Sequence, residues 1–186
     1  MDWSKEFIES RIKAGGIDIP VGRAFFIESK PKDMSDVTHV CLDVLTKTNF
    51  DILILSLSGS PKNFLINYKR ERLDTSKILL IDCSQKKAND PDIAQIFYAD
   101  NISSLSSILE KTDAVVKLNG VKFILLDSVD LFLNKHNPQE CVGFLSNLIA
   151  KMKTNGVNIF LLVTTDGNNQ KEKNEIILLC DNVIAL

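Results

Sequence analysis

The sequence predicts an α/β fold, a three-layer sandwich in which a mainly parallel central sheet lies between two layers of helices. Short apolar runs recur at residues 24–27, 52–57, 78–81, 121–126, 159–163 and 183–186, apolar on both faces as strands covered from two sides must be. Amphipathic stretches of helical spacing separate the runs, the alternation expected of parallel strands joined by helices. An apolar fraction of 45% over 186 residues is enough for one core of ordinary size, which predicts a single domain across residues 1–186.

In chain order, Trp3, Phe7, Ile8 and Ile12 recur at helical spacing ahead of Gly15-Gly16 and predict an N-terminal amphipathic helix over residues 1–13. Its stripe packs on the domain, as such stripes mostly do, or else faces a partner. After the first strand a helix begins near Ser35 or Asp36 and buries Val37, Val40, Cys41, Val44 and Leu45. Ser58-Gly59-Ser60-Pro61-Lys62 reads as a strand-to-helix connector, or as a loop able to hold a phosphate through its amides and Lys62. Lys69-Arg70-Glu71-Arg72 is a charged run on a solvated helix face; its sharper reading is a docking patch, Lys69, Arg70 and Arg72, for an acidic partner. A helix runs from about Ser104 through Leu105, Ile108 and Leu109. The clearest helix start is Asn137-Pro138-Gln139-Glu140: an N-cap, a proline in the first turn and a glutamate placed to close a capping box. Cys141, Leu145, Leu148, Ile149 and Met152 form its buried face, Lys151 and Lys153 suit its C-terminal dipole, and Gly156 can end it. Residues 166–173 read as a mobile polar loop before the last helix and strand.

Bulk properties narrow the function. A net charge of −2 leaves no basic footprint for nucleic acid. Cys41, Cys83, Cys141 and Cys180 lie far apart, three of them in apolar runs, and read as reduced core residues; no Cys/His spacing suggests zinc. The N-terminal residues are charged, and no apolar run approaches the roughly 18 residues of a membrane span, so a cytoplasmic protein without membrane contact is expected. His39 and His136 have no nucleophile in a triad setting and read as structural or solvated.

Residues 25–36 have the layout of a phosphate-binding loop, a buried strand feeding a short polar loop and then a helix. A loop of the form G-x-x-x-x-G-K-[ST] needs glycines so that amides can curl around phosphates, a lysine for charge and a hydroxyl for Mg²⁺. On that frame Glu28 and Asp33 take the glycine positions, Met34 the lysine and Ser35 the hydroxyl, and only Ser35 is chemically suited. Lys30 and Lys32 offset part of the acidity, but Pro31 lacks an N–H and fixes its own φ.

The order of segments resembles the KaiC-like branch of the RecA superfamily of ATPases, from about Ala14 onward. Residues 15–23 are similar to the family's glycine pair, Ile-Pro and Gly leading into the first core strand, and residues 52–61, ending in Ser60-Pro61, to its second strand and loop. Phe123-Ile124-Leu125-Leu126-Asp127-Ser128 resembles the Walker B strand, residues 157–165 the next strand, and residues 180–186 the closing segment. The resemblance implies the RecA/KaiC-like P-loop NTPase fold. It also places the family's catalytic glutamates where this chain has Ser58 and Gly59, neither able to act as a base. Asp127 is then a metal-site remnant or a helix- or turn-capping carboxylate. Domains of this kind without a working phosphate loop are known, particularly in archaea, sometimes attached to signalling modules. The departures from the family pattern lead to an expectation of no catalysis and no required cofactor, with a regulatory role through a protein partner or self-association. The alternative is an ATP or ADP sensor holding nucleotide through Lys30, Lys32, Ser35 and Asp127 with Mg²⁺, and an active ATPase is disfavoured.

Overall fold

The computed structural model describes residues 5–14, 17–56, 61–83, 96–98, 104–166 and 168–186. Among these residues seven strands form one sheet: β1 (Ala24–Ser29), β2 (Ile52–Ser56), β3 (Ile78–Asp82), β4 (Ile96–Tyr98), β5 (Phe123–Leu126), β6 (Asn158–Thr164) and β7 (Asn182–Ala185). Their order is β4-β3-β2-β5-β6-β1-β7, and every pairing is parallel. The helices are α1 (Lys5–Ala14), α2 (Met34–Thr46), α3 (Pro61–Arg70), α4 (Leu105–Asn119), α5 (Val129–Lys135), α6 (Pro138–Thr154) and α7 (Gln170–Ile177). Among the described residues no helix is long and apolar enough to cross a membrane.

The double-sided apolar runs explain the layers. Side chains alternate across a strand, so Phe25 and Ile27 join one core with Val37, Cys41 and Leu45 of α2, while Phe26 joins the other with Leu145, Leu148 and Met152 of α6. Phe25 stacks on its registered neighbour Phe160, ring centroids 5.1 Å apart. The six predicted strands are all present, with Val121 just ahead of β5 rather than in it. β4 was not predicted: three residues at the sheet edge, none fully buried, carry no periodic signal.

Ile8 of α1 is buried in the core that holds α2, as expected of a stripe packed on the domain, although Phe7 is 39% exposed and Trp3 lies outside the described residues. Asn137 caps α6 by accepting from the amides of Gln139 and Glu140 at 3.0 and 3.3 Å. The same helix ends in a Schellman turn: Gly156 takes φ +67°, its N–H donates to Lys153 and that of Val157 to Met152.

One expectation is corrected. Residues 166–173 are not all loop, because α7 begins at Gln170 and buries Lys173 and Ile176. Ile176 and Ile177 give this polar helix only a short apolar face, and an ion cluster around Lys173 anchors the turn before it. The segment before β1 is pinned by Asn158, itself fully buried. Its Oδ1 accepts from Val21 and Arg23 N–H at 3.1 and 3.0 Å, and its Nδ2 donates to the carbonyls of Ile17 and Ile19 at 3.4 and 2.6 Å.

Candidate functional site

In open parallel sheets ligands bind beyond the carboxyl ends of the strands, where neighbouring strands send their connections in opposite directions. Here β2 and β5 adjoin; the chain leaves β2 toward β3 and leaves β5 toward β6. Asp127 follows β5 at that point and is buried. Its Oδ2 accepts from Ser56 Oγ at 2.8 Å, and its N–H donates to the carbonyl of Leu55 at 3.3 Å. Asp82, also buried, ends β3 on the other side of β2. The cap of α5 is Ser128, whose Oγ accepts from Leu131 N–H at 3.2 Å. Ser128, not Asp127, therefore caps the helix, and Asp127 links two strand ends. No group of three or more His, Cys, Asp or Glu suited to a metal ion occurs among the described residues.

The β1–α2 connection is a tight turn. Asp33 N–H donates to the Lys30 carbonyl at 2.9 Å, and the Asp33 carbonyl accepts from Val37 N–H at 3.0 Å. Lys30, Lys32 and Ser35 are exposed, Glu28 and Asp33 half-buried, and Met34 packs against the core of α2. Asp127 stands away from these three residues, since β6 separates β5 from β1 and two strand spacings amount to about 10 Å. The turn groups Lys30, Lys32 and Ser35; Asp127 belongs to a different part of the rim. Ser58, Gly59 and Ser60 lie outside the described residues, as does the side chain of Lys62.

Sequence reasoning missed the buried charge cluster on this rim. Lys173 is 1% exposed, and its Nζ lies 2.6 Å from Asp130 Oδ1, 3.0 Å from Asp166 Oδ1 and 2.7 Å from the carbonyl of Thr164. Asp130 Oδ2 accepts from Thr164 N–H at 2.8 Å, and Thr164 pairs in register with Ser29 of β1. Burial opposes the Lys173 ammonium, but hydrogen bonds and charge from Asp130 and Asp166 outweigh it and hold its pKa above the usual lysine range. The signal was present: Lys173, Ile176 and Ile177 recur at helical spacing, with a lysine on the inner face.

The remaining candidates have structural settings. His39 Nδ1 approaches Glu71 Oε2 at 2.5 Å, and its ring stacks on Tyr68. His136 ends α5 beside the Phe132 ring, and burial lowers its pKa, keeping it neutral. Lys69, Arg70 and Arg72 are exposed at the end of α3, with Arg72 at φ +65°. All four cysteines are free thiols; burial pushes Cys41, Cys83 and Cys180 up to about 12 and Cys141 to about 11, which makes them unreactive.

No protein-family model matches the sequence, and no curated protein matches it. Among solved structures the chain is similar to the KaiC-like protein PH0186 of the hyperthermophilic archaeon Pyrococcus horikoshii OT3. The identity is 14%, over 90% of this chain and 72% of that one, with a TM-score of 0.66. The wholly parallel seven-stranded sheet, its helical layers and this likeness give the chain a KaiC-like RecA fold.

Proposed function

We propose that the chain is a non-catalytic domain that acts in regulation or signalling by binding protein, with its KaiC-like RecA fold as scaffold. The β1–α2 turn carries this reading. A triphosphate site needs several inward N–H groups and a cation. In this turn the Asp33 N–H is spent on the Lys30 carbonyl, Pro31 has none, and Met34 packs a thioether against the core. Glu28 and Asp33 add negative charge, each like-charge contact with a phosphate costing on the order of 1–4 kcal/mol in a surface dielectric. The partner is a protein or a second copy of the chain, and the exposed Lys69, Arg70 and Arg72 suit an acidic contact surface. A cytoplasmic setting, without nucleic acid or membrane, fits the composition. Turnover tests the reading: purified protein with Mg-ATP is expected to release no phosphate above background. Hydrolysis that disappears in Asp127→Ala overturns it.

A second reading, an ATP or ADP sensor without efficient hydrolysis, draws support from Lys30, Lys32 and Ser35 sharing one exposed turn at the strand ends. Under it, Mg-ATP raises the melting temperature in proportion to the logarithm of its concentration once above Kd. An unchanged melting temperature at millimolar Mg-ATP removes it.

A further inference from the structure

We propose that the groove between the N-terminal halves of α4 and α6 binds a small organic cation, an amine carried on an aromatic or branched aliphatic body. The two helices are tied toward their C-terminal ends by Asp113 of α4, which holds Lys117 at 2.8 Å and Lys151 of α6 at 3.1 Å. Toward their N-termini lies a hollow of about 510 Å³, a size typical of small-molecule sites. Leu105, Leu109 and Phe144 supply its apolar surface. Phe144 is fixed in place by a near-parallel stack on Phe132, centroids 5.3 Å apart, so this wall is formed before any ligand arrives. Gly143 keeps the space open: a Cβ there meets nothing within 4 Å.

The polar lining selects the charge. It consists of Ser104, Ser106, Glu140 and Asn147, and contains no cation. Ser104 Oγ accepts from Ser107 N–H as the cap of α4 and lies 2.7 Å from Ser106 Oγ, and a hydroxyl pair so linked keeps lone pairs for an incoming N–H. Glu140 is exposed in the first turn of α6, with no ion pair to it among the described residues. A carboxylate, hydroxyl oxygens and an amide oxygen around an apolar floor are acceptors for an ammonium group. An anionic ligand meets the full negative charge of Glu140, which exceeds the partial positive charge at the N-terminus of α6.

The test uses phenethylamine as probe and phenylacetate as the same body with opposite charge, each titrated into the full chain and followed by amide chemical shifts. Expected are shifts confined to residues around Leu105, Leu109 and Phe144, saturable with the amine and several-fold weaker with the acid. Glu140→Gln should weaken the amine by about two- to fivefold, the range expected of a solvent-exposed ion pair, and narrow the difference between the probes. Gly143→Leu, which fills the hollow from a helical position, should abolish binding with helix content unchanged by circular dichroism. Equal response to both probes, no response at millimolar amine, response to a basic peptide but not to the amine, or undiminished binding by Gly143→Leu each overturns the proposal.

Discussion

Lys173→Met removes a buried ammonium while keeping most of the side chain's length and apolar volume, so its cost reports the ion cluster itself. Nζ is held by Asp130, Asp166 and the Thr164 carbonyl, all within 3.0 Å. Without it, Asp130 keeps one partner, the Thr164 N–H, and its other oxygen is left as an uncompensated buried charge. Breaking a buried pair in this way costs about 3–5 kcal/mol. Asp166 adds little, because its side chain is 32% exposed and water replaces the ammonium there. A total stability of about 5–15 kcal/mol makes this a large share. Urea denaturation at pH 7, followed by far-UV circular dichroism, should show the loss. The double variant Lys173→Met, Asp130→Asn should recover part of it, because the orphaned charge is gone. A loss below about 1 kcal/mol for the single variant, or no recovery in the double, would refute the view that an ion cluster anchors the turn before α7.

Asn158→Ala removes four hydrogen bonds to the segment before β1 and should cost about 2–4 kcal/mol by urea denaturation, an ordinary surface-like loss below 0.5 kcal/mol contradicting its role. Two glycines should respond in opposite directions in thermal melts. Gly22→Ala is destabilising, since the residue has φ +75° and a Cβ would lie 2.6 Å from the Lys153 carbonyl oxygen, whereas Gly143→Ala, in open helix, should stabilise by about 0.5–1 kcal/mol. Acid should destabilise in two stages. His136 is lowered from 6.5 by burial, so the unfolded chain takes up its proton first, and stability begins to fall as pH drops below that value; His136→Gln should remove this stage. Asp113 is lowered by its hydrogen bond from Lys117, and Asp166 by that from Lys173. For Asp181, burial pushes upward, but the Ala24 N–H and Lys153 outweigh it. Their stabilisation is complete above the ordinary value of 3.8 and is lost as pH falls through the lower folded-state values, which denaturation midpoints across the acid range would reveal.

Much of the architecture could be read from residue order. The buried strands declared themselves because a strand covered on both faces must be apolar throughout, as in Ile52-Leu53-Ile54-Leu55. The start and end of α6 were equally plain, since Asn137, Pro138 and Gly156 act through local backbone geometry that needs no distant partner. β4 left no such mark, being short and half-exposed.

At the candidate site the division is the same. Sequence alone determined which chemical groups stand at the end of β1: acids, a proline and a methionine where a phosphate loop has glycines and a lysine. Only the tertiary structure decided that Asp127 meets Ser56 rather than the Lys30 turn, that Lys173 is buried between two aspartates, and that α4 and α6 leave a hollow beside Gly143. The physical reason is range. Caps, turns and burial patterns depend on neighbours within a few residues, whereas ion clusters, hollows and cross-strand hydrogen bonds depend on strand order and helix placement, which bring together groups such as Ser56 and Asp127, 71 positions apart.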